Sequence, residues 1–340
     1  MIDINQEYNN NPNPQIKISK NSVPIIYLDT CAMIEFAKIK KGTCTNEHAS
    51  ELRTVYETMV SLIEDNLILC PLGNQLEEMG VARDRESARE FLFYFTNGEM
   101  YLPFEIEKEQ MTLGYQSFLK NGNCIELNAD GLLETPTYCW DSRLEIKVSP
   151  IYSDEKIKEI RTKQSDLAMA LNDMKENGIS DKNFEIQLQK EFEGDFQTLE
   201  HVLKHCSDSD LDKRRFFNMI SDIFAKIGIN CLFNDVEEFY EFIKKYCKFL
   251  MSSYHHKLPF NFINAVIYAY RMTRSKKISP SDKLDTLWAA SYIPFVDYAV
   301  TDSDFCNLLN DSGLAELYGT KVYSFKTLDM LLKDLSTLKS

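Results

Sequence analysis

Two short apolar runs in this chain end in acids and turn at once into helical spacing. Residues 25–30 read IIYLDT, and residues 295–305 read FVDYAVTDSDF. Each run has the length and composition of a buried strand. The strand expected at 25–28 leads into helical spacing at 32–38, and LILCP at 67–71 leads into helical spacing from 73 onward. The C-terminal stretch repeats the alternation: helix 281–293, strand 296–300, helix 304–313, strand 321–325 and helix 326–335. Strands alternating with helices argue for an α/β fold with a mainly parallel sheet and crossover helices.

The middle of the chain differs. From about 153 to 274 the spacing is long and helical, as in NFEIQLQKEFEGDFQTLEHVLKHC and VEEFYEFIKKYCKFLMSSYHH. CIELNADGLLETPTYCW, at 124–140, has room for short strands. The expected organisation is a loose tail at 1–22, a first core segment at 23–104, a mostly helical insertion at 105–265 and a second core segment at 266–340. No internal repeat is visible.

A chain of 340 residues that is 44% hydrophobic is long enough for one large domain or two smaller ones. No run of about 18 apolar residues exists, so no membrane span is expected. The opening MIDINQEYNNNPNPQ lacks the basic and apolar regions of a secretory signal. Nine scattered cysteines without a C-x-x-C pair argue against a disulfide framework and for a reducing cytoplasm. A net charge of −14 makes the surface as a whole repel nucleic acid, so a nucleic-acid activity needs a local basic patch, bound cations or a partner.

The chemistry-bearing residues are carboxylates. Asp29 follows the first strand and Asp302 a later one. In open α/β sheets ligand sites lie at the carboxyl ends of strands, so the two are candidates for one site; the bland alternatives are a helix N-cap and an ordinary Asp turn. In SPSDKLDTLWAAS, Ser279, Pro280 and Asp282 fit N-cap, N1 and N3, which gives Asp282 a capping role. Asp285 lies six positions past that cap, beside an apolar stripe and four residues before Ala289, and is the functional candidate. In LGNQLEEMG, Glu78 is preferred to Glu77, the alternative being a solvated helical pair.

These stretches together resemble the PIN-domain nucleases. IIYLDTCAMIEF is similar to the family's opening strand, acid and hydroxyl, and DTLWAASYIPFVDYAVTD to its later helix, strand and terminal T-D. YIPFVDYAVTD resembles a bacterial PIN-like subgroup with a Y-x-P-x-x-D-x-x-x-T-D run, and the 17 residues between Asp285 and Asp302 (302 − 285) suit the PIN-domain resemblance. The resemblance covers about 23–100 and 278–340. It implies a three-layer α/β/α core around a central, mainly parallel sheet, interrupted by the insertion. It further implies that Asp29, Glu78, Asp285 and Asp302 are catalytic and hold Mg²⁺ or Mn²⁺, with Asp304 as a further ligand and Thr30 and Thr301 in support. Hard divalent ions prefer such oxygen donors, and ions so held can activate water for phosphodiester hydrolysis. Two departures stand out: Cys31 occupies a position where the family often has Asn, and 207 residues separate Glu78 from Asp285 (285 − 78) in place of a compact core.

Other signals are weaker. His201 and His205, beside Cys206, lack the second ligand pair a zinc site needs. YHHK at 254–257 could touch phosphate but reads rather as a solvated helix end, and DKRRFF at 212–217 is a short basic run. YAYRMTRSKK offers Arg271, Arg274, Lys276 and Lys277, with Tyr268 and Tyr270 to stack on bases; the alternative is again a solvated helix end. The resulting expectation is a cytoplasmic Mg²⁺- or Mn²⁺-dependent endoribonuclease, either toxin-like with a neutralising or regulatory protein partner or an effector in defence or RNA processing. DNA stays open as a substrate, as does homo-oligomerisation. The competing class is an inactive PIN-like binding module or scaffold.

Overall fold

The computed structural model describes residues 13–73, 75, 95, 96, 99–129, 133, 134, 154–178, 180–193 and 236–339. Its strands are β1 (Gln15–Ser19), β2 (Ile26–Leu28), β3 (Glu99–Met100), β4 (Cys124–Asn128), β5 (Leu133–Glu134), β6 (Tyr298–Val300) and β7 (Lys321–Tyr323). Its helices are α1 (Thr30–Lys41), α2 (Ala49–Glu64), α3 (Pro103–Leu119), α4 (Asp154–Glu176), α5 (Phe184–Glu193), α6 (Val236–Leu250), α7 (Ser253–Lys257), α8 (Pro259–Thr273), α9 (Asp282–Tyr292), α10 (Ser303–Asp311), α11 (Leu314–Leu317) and α12 (Leu328–Ser336). The fold is mixed α/β with parallel strand pairs, and no described helix is long and apolar enough to cross a membrane.

The chain divides into two compact units. One takes Ile18–Leu102, Asn128–Ile179 and Ser275–Ser340; the other takes Met1–Lys17, Pro103–Leu127 and Ser180–Arg274. The first holds the sheet β2–β6–β7, with Ile26 opposite Tyr298, Leu28 opposite Val300 and Val300 opposite Tyr323. All three residues of β2 are fully buried, as a strand covered on both faces requires. Successive side chains alternate between faces. Ile26, Leu28 and Val300 join a core with Met33 and Phe36 of α1, Leu52 and Val55 of α2, and Leu331 and Leu335 of α12. Tyr27 instead stacks on Trp288 of α9 at 4.8 Å and lies 5.0 Å from Tyr292.

The strand expected at 67–71 contributes a single parallel bridge, Leu69 to Ile25, with Ile26 N–H donating to Leu69 O and Leu69 N–H to Pro24 O. Pro71 has no N–H with which to continue the ladder. Residues 296–297, expected to open a strand, stop short of β6 because the Asp297 carboxylate accepts the Ile25 N–H at 2.9 Å. Residues 15–19, in the stretch expected to be a loose tail, form β1, paired with β4. Just beyond it, Lys20 Nζ donates to the Val296 carbonyl at 2.7 Å and to the Gly319 carbonyl at 2.8 Å.

The second unit is mostly helical among its described residues, which also include most of β1 and β4. Tyr115 of α3 meets Tyr246 and Phe249 of α6 edge-on or tilted, with ring centroids 5.3 and 5.4 Å apart. The Gln110 side chain caps the start of α8 by accepting the Phe260 N–H at 2.9 Å, where Pro259 opens the helix. YHHK is not a solvated end: Tyr254 is buried and donates to the Gly122 carbonyl, and His256 stacks on Phe192 at 4.9 Å. Burial holds the His256 pKa down at about 4 despite the opposing charge of Glu193. The helix at 154–176 belongs to the unit with the sheet, so the long helical stretch is divided between the units.

Gly73 shows how tightly the sheet unit is packed. A Cβ there would lie 2.7 Å from the hydroxyl of Tyr292, which is itself fully buried and donates to the Tyr101 carbonyl. Gly73→Ala is expected to cost about 1–3 kcal/mol through overpacking, measured by urea unfolding.

Candidate functional site at a reversal of strand order

Across the sheet the order runs from the Leu69 bridge to β2, β6 and β7. After β2 the chain next meets the sheet on one side, at Leu69; after β6 it moves to the other side, at β7. The order therefore reverses between β2 and β6, and the crevice at the carboxyl ends of such strands is where open α/β sheets bind ligands. Asp29 follows β2 there, and Thr301 and Asp302 follow β6.

The two acids are built alike. Asp29 caps α1 with φ −62° and ψ 158°, and Asp302 caps α10 with φ −66° and ψ 161°. Each strand thus passes through one extended residue into a helix whose N-terminal dipole favours a carboxylate. Asp29 N–H donates to the Val300 carbonyl, which locks the two strand ends together. Asp29 Oδ1 accepts from the Thr30 N–H at 2.6 Å, while Oδ2 accepts from Thr301 Oγ1 at 2.8 Å and from Cys31 Sγ at 3.5 Å. Asp302 accepts the N–H groups of Asp304 and Phe305, both on Oδ1.

Asp29 is only 5% exposed. Burial raises its pKa, and the charge of Asp302 pushes the same way against the hydrogen bonds from Thr301, Thr30 and Cys31. Burial likewise drives the Cys31 thiol well above its ordinary value, and so do the charges of Asp29, Asp302 and Asp285. The charges of all three acids are thus felt at Cys31, although only Asp29 touches its sulfur.

Asp285 reaches this region from α9, though its place in that helix differs from expectation. The helix starts at Asp282, after the turn at Pro280–Ser281, and its N-cap Ser281 makes no side-chain capping bond. Asp282 does serve the helix start, because Ser279 N–H and Oγ bind its two carboxylate oxygens at 3.0 and 2.8 Å. Asp285 consequently sits in the first turn, where the dipole still acts, rather than six positions beyond a cap.

The remaining candidates fall differently. Glu77 and Glu78 lie outside the described residues, as do His201, His205, Cys206 and the basic run at 212–217. Thr30 contributes its N–H to Asp29, and Thr301 its hydroxyl. Asp304 points to a cation of the chain itself: it is ion-paired with Lys276. Lys277 lies 3.3 Å from Glu176. Arg271 is buried, and Arg274 covers the Tyr270 ring at 4.4 Å while donating to its hydroxyl at 2.7 Å. The basic stretch is thus divided, with Arg271 and Arg274 in the helical unit and Lys276 and Lys277 in the sheet unit.

Two supporting residues were not anticipated. Gln75 is fully buried, accepts the Gly73 N–H at 2.6 Å and donates to the Leu28 carbonyl at 2.8 Å, one residue before Asp29. Cys31 was noted only as a departure from the family pattern, although its sulfur bonds Asp29 directly. A polar Gln just past an apolar run was the only sequence signal for the first.

The donors suit a hard divalent cation: carboxylate oxygens, one buried carboxylate with a raised pKa that a cation would relieve, and Asp302 Oδ2 unbonded among the described residues. Among the described residues, no three His, Cys, Asp or Glu side chains are already gathered closely enough to hold an ion. Comparison with known protein families, with curated proteins and with solved structures finds no match.

Two outcomes are expected. Asp302→Ala, which removes the cap of α10, should cost about 1 kcal/mol, whereas Asp302→Asn keeps a capping oxygen and should leave metal-free stability equal or higher. Thermal unfolding of both variants checks this. The second concerns pH. Because Asp29 is raised in the folded chain, the folded state holds a proton that the unfolded state has released, and stability is lost as pH rises from the ordinary carboxylate value through the folded one. Asp29→Asn should flatten that part of the stability profile, measured by urea unfolding at stepped pH.

Proposed function

We propose that this chain is a PIN-like, Mg²⁺- or Mn²⁺-dependent endoribonuclease acting in the cytoplasm. The observation that carries the reading is the placement of Asp29 and Asp302 at neighbouring strand ends where the sheet order reverses, joined through Thr301, with Asp285 near enough for its charge to be felt at Cys31. Helices against both faces of that sheet are what a three-layer α/β/α core requires. The six described cysteines are all free thiols.

In this reading Asp29, Asp285 and Asp302, with Glu78, hold the ion. A divalent ion bound there supplies an activated water and stabilises the charge of an in-line phosphodiester displacement. Thr301 fixes the orientation of Asp29 through the 2.8 Å hydrogen bond, and Gln75 fixes the end of β2 from which Asp29 projects. RNA is the substrate class, and a neutralising or regulatory protein is a partner suited to so destructive an activity. The acidic whole-chain charge makes the bound cation part of RNA attraction as well as of chemistry.

A binding scaffold is the second reading, favoured by one fact: Asp29 and Asp302 both already serve as helix caps. Asp285 lies in the first turn of α9 rather than at its N-cap, so Asp285→Asn discriminates. Purified protein with Mn²⁺ should cleave single-stranded or structured RNA, and Asp285→Asn and Asp29→Asn should each lower the rate by at least about a hundredfold. Binding without cleavage across both RNA types, unaffected by Mn²⁺, would establish the scaffold instead.

A further inference from the structure

We infer that Lys276 is a built-in counter-ion of the acidic site, held in place by a clamp on α4, and that a divalent cation must displace it to bind. The inference rests on the metal-site reading above. Lys276 is ion-paired with Asp304, two residues past Asp302. The bond to Asp304 raises the Lys276 pKa, with the charges of Asp304, Asp282 and Asp302 adding to it. The ammonium thus pairs with Asp304 and lies within the field of Asp282 and Asp302.

Its position is set from elsewhere in the sheet unit. The side-chain amide of Asn172, near the end of α4, grips the backbone of Ile278 on both sides: Nδ2 donates to the carbonyl at 2.9 Å, and Oδ1 accepts the N–H at 2.9 Å. Lys175 Nζ donates to the Lys276 carbonyl at 2.7 Å, and Glu176 lies 3.3 Å from Lys277 Nζ. Three consecutive residues, 276–278, are thus tied to the last turns of one helix. A segment so fixed has little freedom to carry the ammonium away, whereas the side chain itself is free to swing. Lys276 and Asp304 are 68% and 73% exposed, and an exposed pair of this kind is weak enough to be exchanged.

A monovalent charge held beside the acids opposes a divalent ion electrostatically. Removing it should tighten cation binding, and loosening its clamp should do the same to a smaller degree. The test is calorimetric titration of the full chain with Mn²⁺ at low salt. Lys276→Gln is expected to bind roughly three- to tenfold more tightly than wild type. Asn172→Ala should tighten binding by a smaller factor, and the double variant should bind no more tightly than Lys276→Gln alone, because both changes act through one charge. High salt should shrink these differences. Equal affinity of wild type and Lys276→Gln at low salt overturns the counter-ion, and an Asn172→Ala affinity equal to wild type overturns the clamp. If wild type and Lys276→Gln both fail to bind Mn²⁺, or if Asp302→Asn binds it as wild type does, the metal-site reading falls and this inference with it.

Discussion

The parallel pairing of β2 with β6 is the contact on which the rest depends. It has three residues on each strand and is closed at its far end by the Asp29 N–H bond to the Val300 carbonyl. That single register places Asp29 beside Thr301, so that one hydroxyl bonds a carboxylate 272 positions away. A slip of one residue would turn Tyr27 from the Trp288 side toward the α1 side and separate the hydroxyl from its acceptor. The fully buried apolar residues on both faces oppose such a slip, so the site geometry is maintained by core packing more than by its own polar contacts.

The polar groups have two uses at once. A carboxylate at a helix N-cap is stabilised by backbone N–H groups, which lets an acid persist in a buried position without a cationic neighbour. Asp29 goes further than Asp302 in this, being nearly inaccessible and raised in pKa. The same placement sets both acids at the carboxyl ends of neighbouring parallel strands. In the proposed reading, structural and chemical roles are not alternatives at these residues, and only substitutions that keep the cap while removing the charge separate them.

What could be read from the sequence followed from covalent neighbourhood. Asp29 and Asp302 were legible because each directly follows an apolar run, and chain direction then fixes which end of the strand carries it. The alternation of strand and helix was legible for the same reason. The start of α9 was misplaced because Ser279 binds Asp282 while the intervening Pro280–Ser281 forms a turn, so a capping-like bond exists without the helix beginning where the spacing put it. The membership of α4 was hidden because helical periodicity records which face is apolar and not which body it meets. The pairing of Lys276 with Asp304 was invisible because it joins residues 28 positions apart through tertiary structure. Read along the chain, Lys276 belonged with Arg271 and Arg274, which the fold assigns to the other unit.

The long reach between β2 and β6 also has a consequence in time. A ribosome adding about 5–20 residues per second takes on the order of tens of seconds to make the chain separating Asp29 from Thr301. During that interval β2 and helices α1 and α2 have emerged without β6, the strand that completes their core. Lys20, whose acceptors lie 276 and 299 positions downstream, waits equally long. The nascent amino-terminal third thus carries β2 without its β6 partner until the carboxyl-terminal segment arrives, and an unpaired strand edge of this kind favours mispairing.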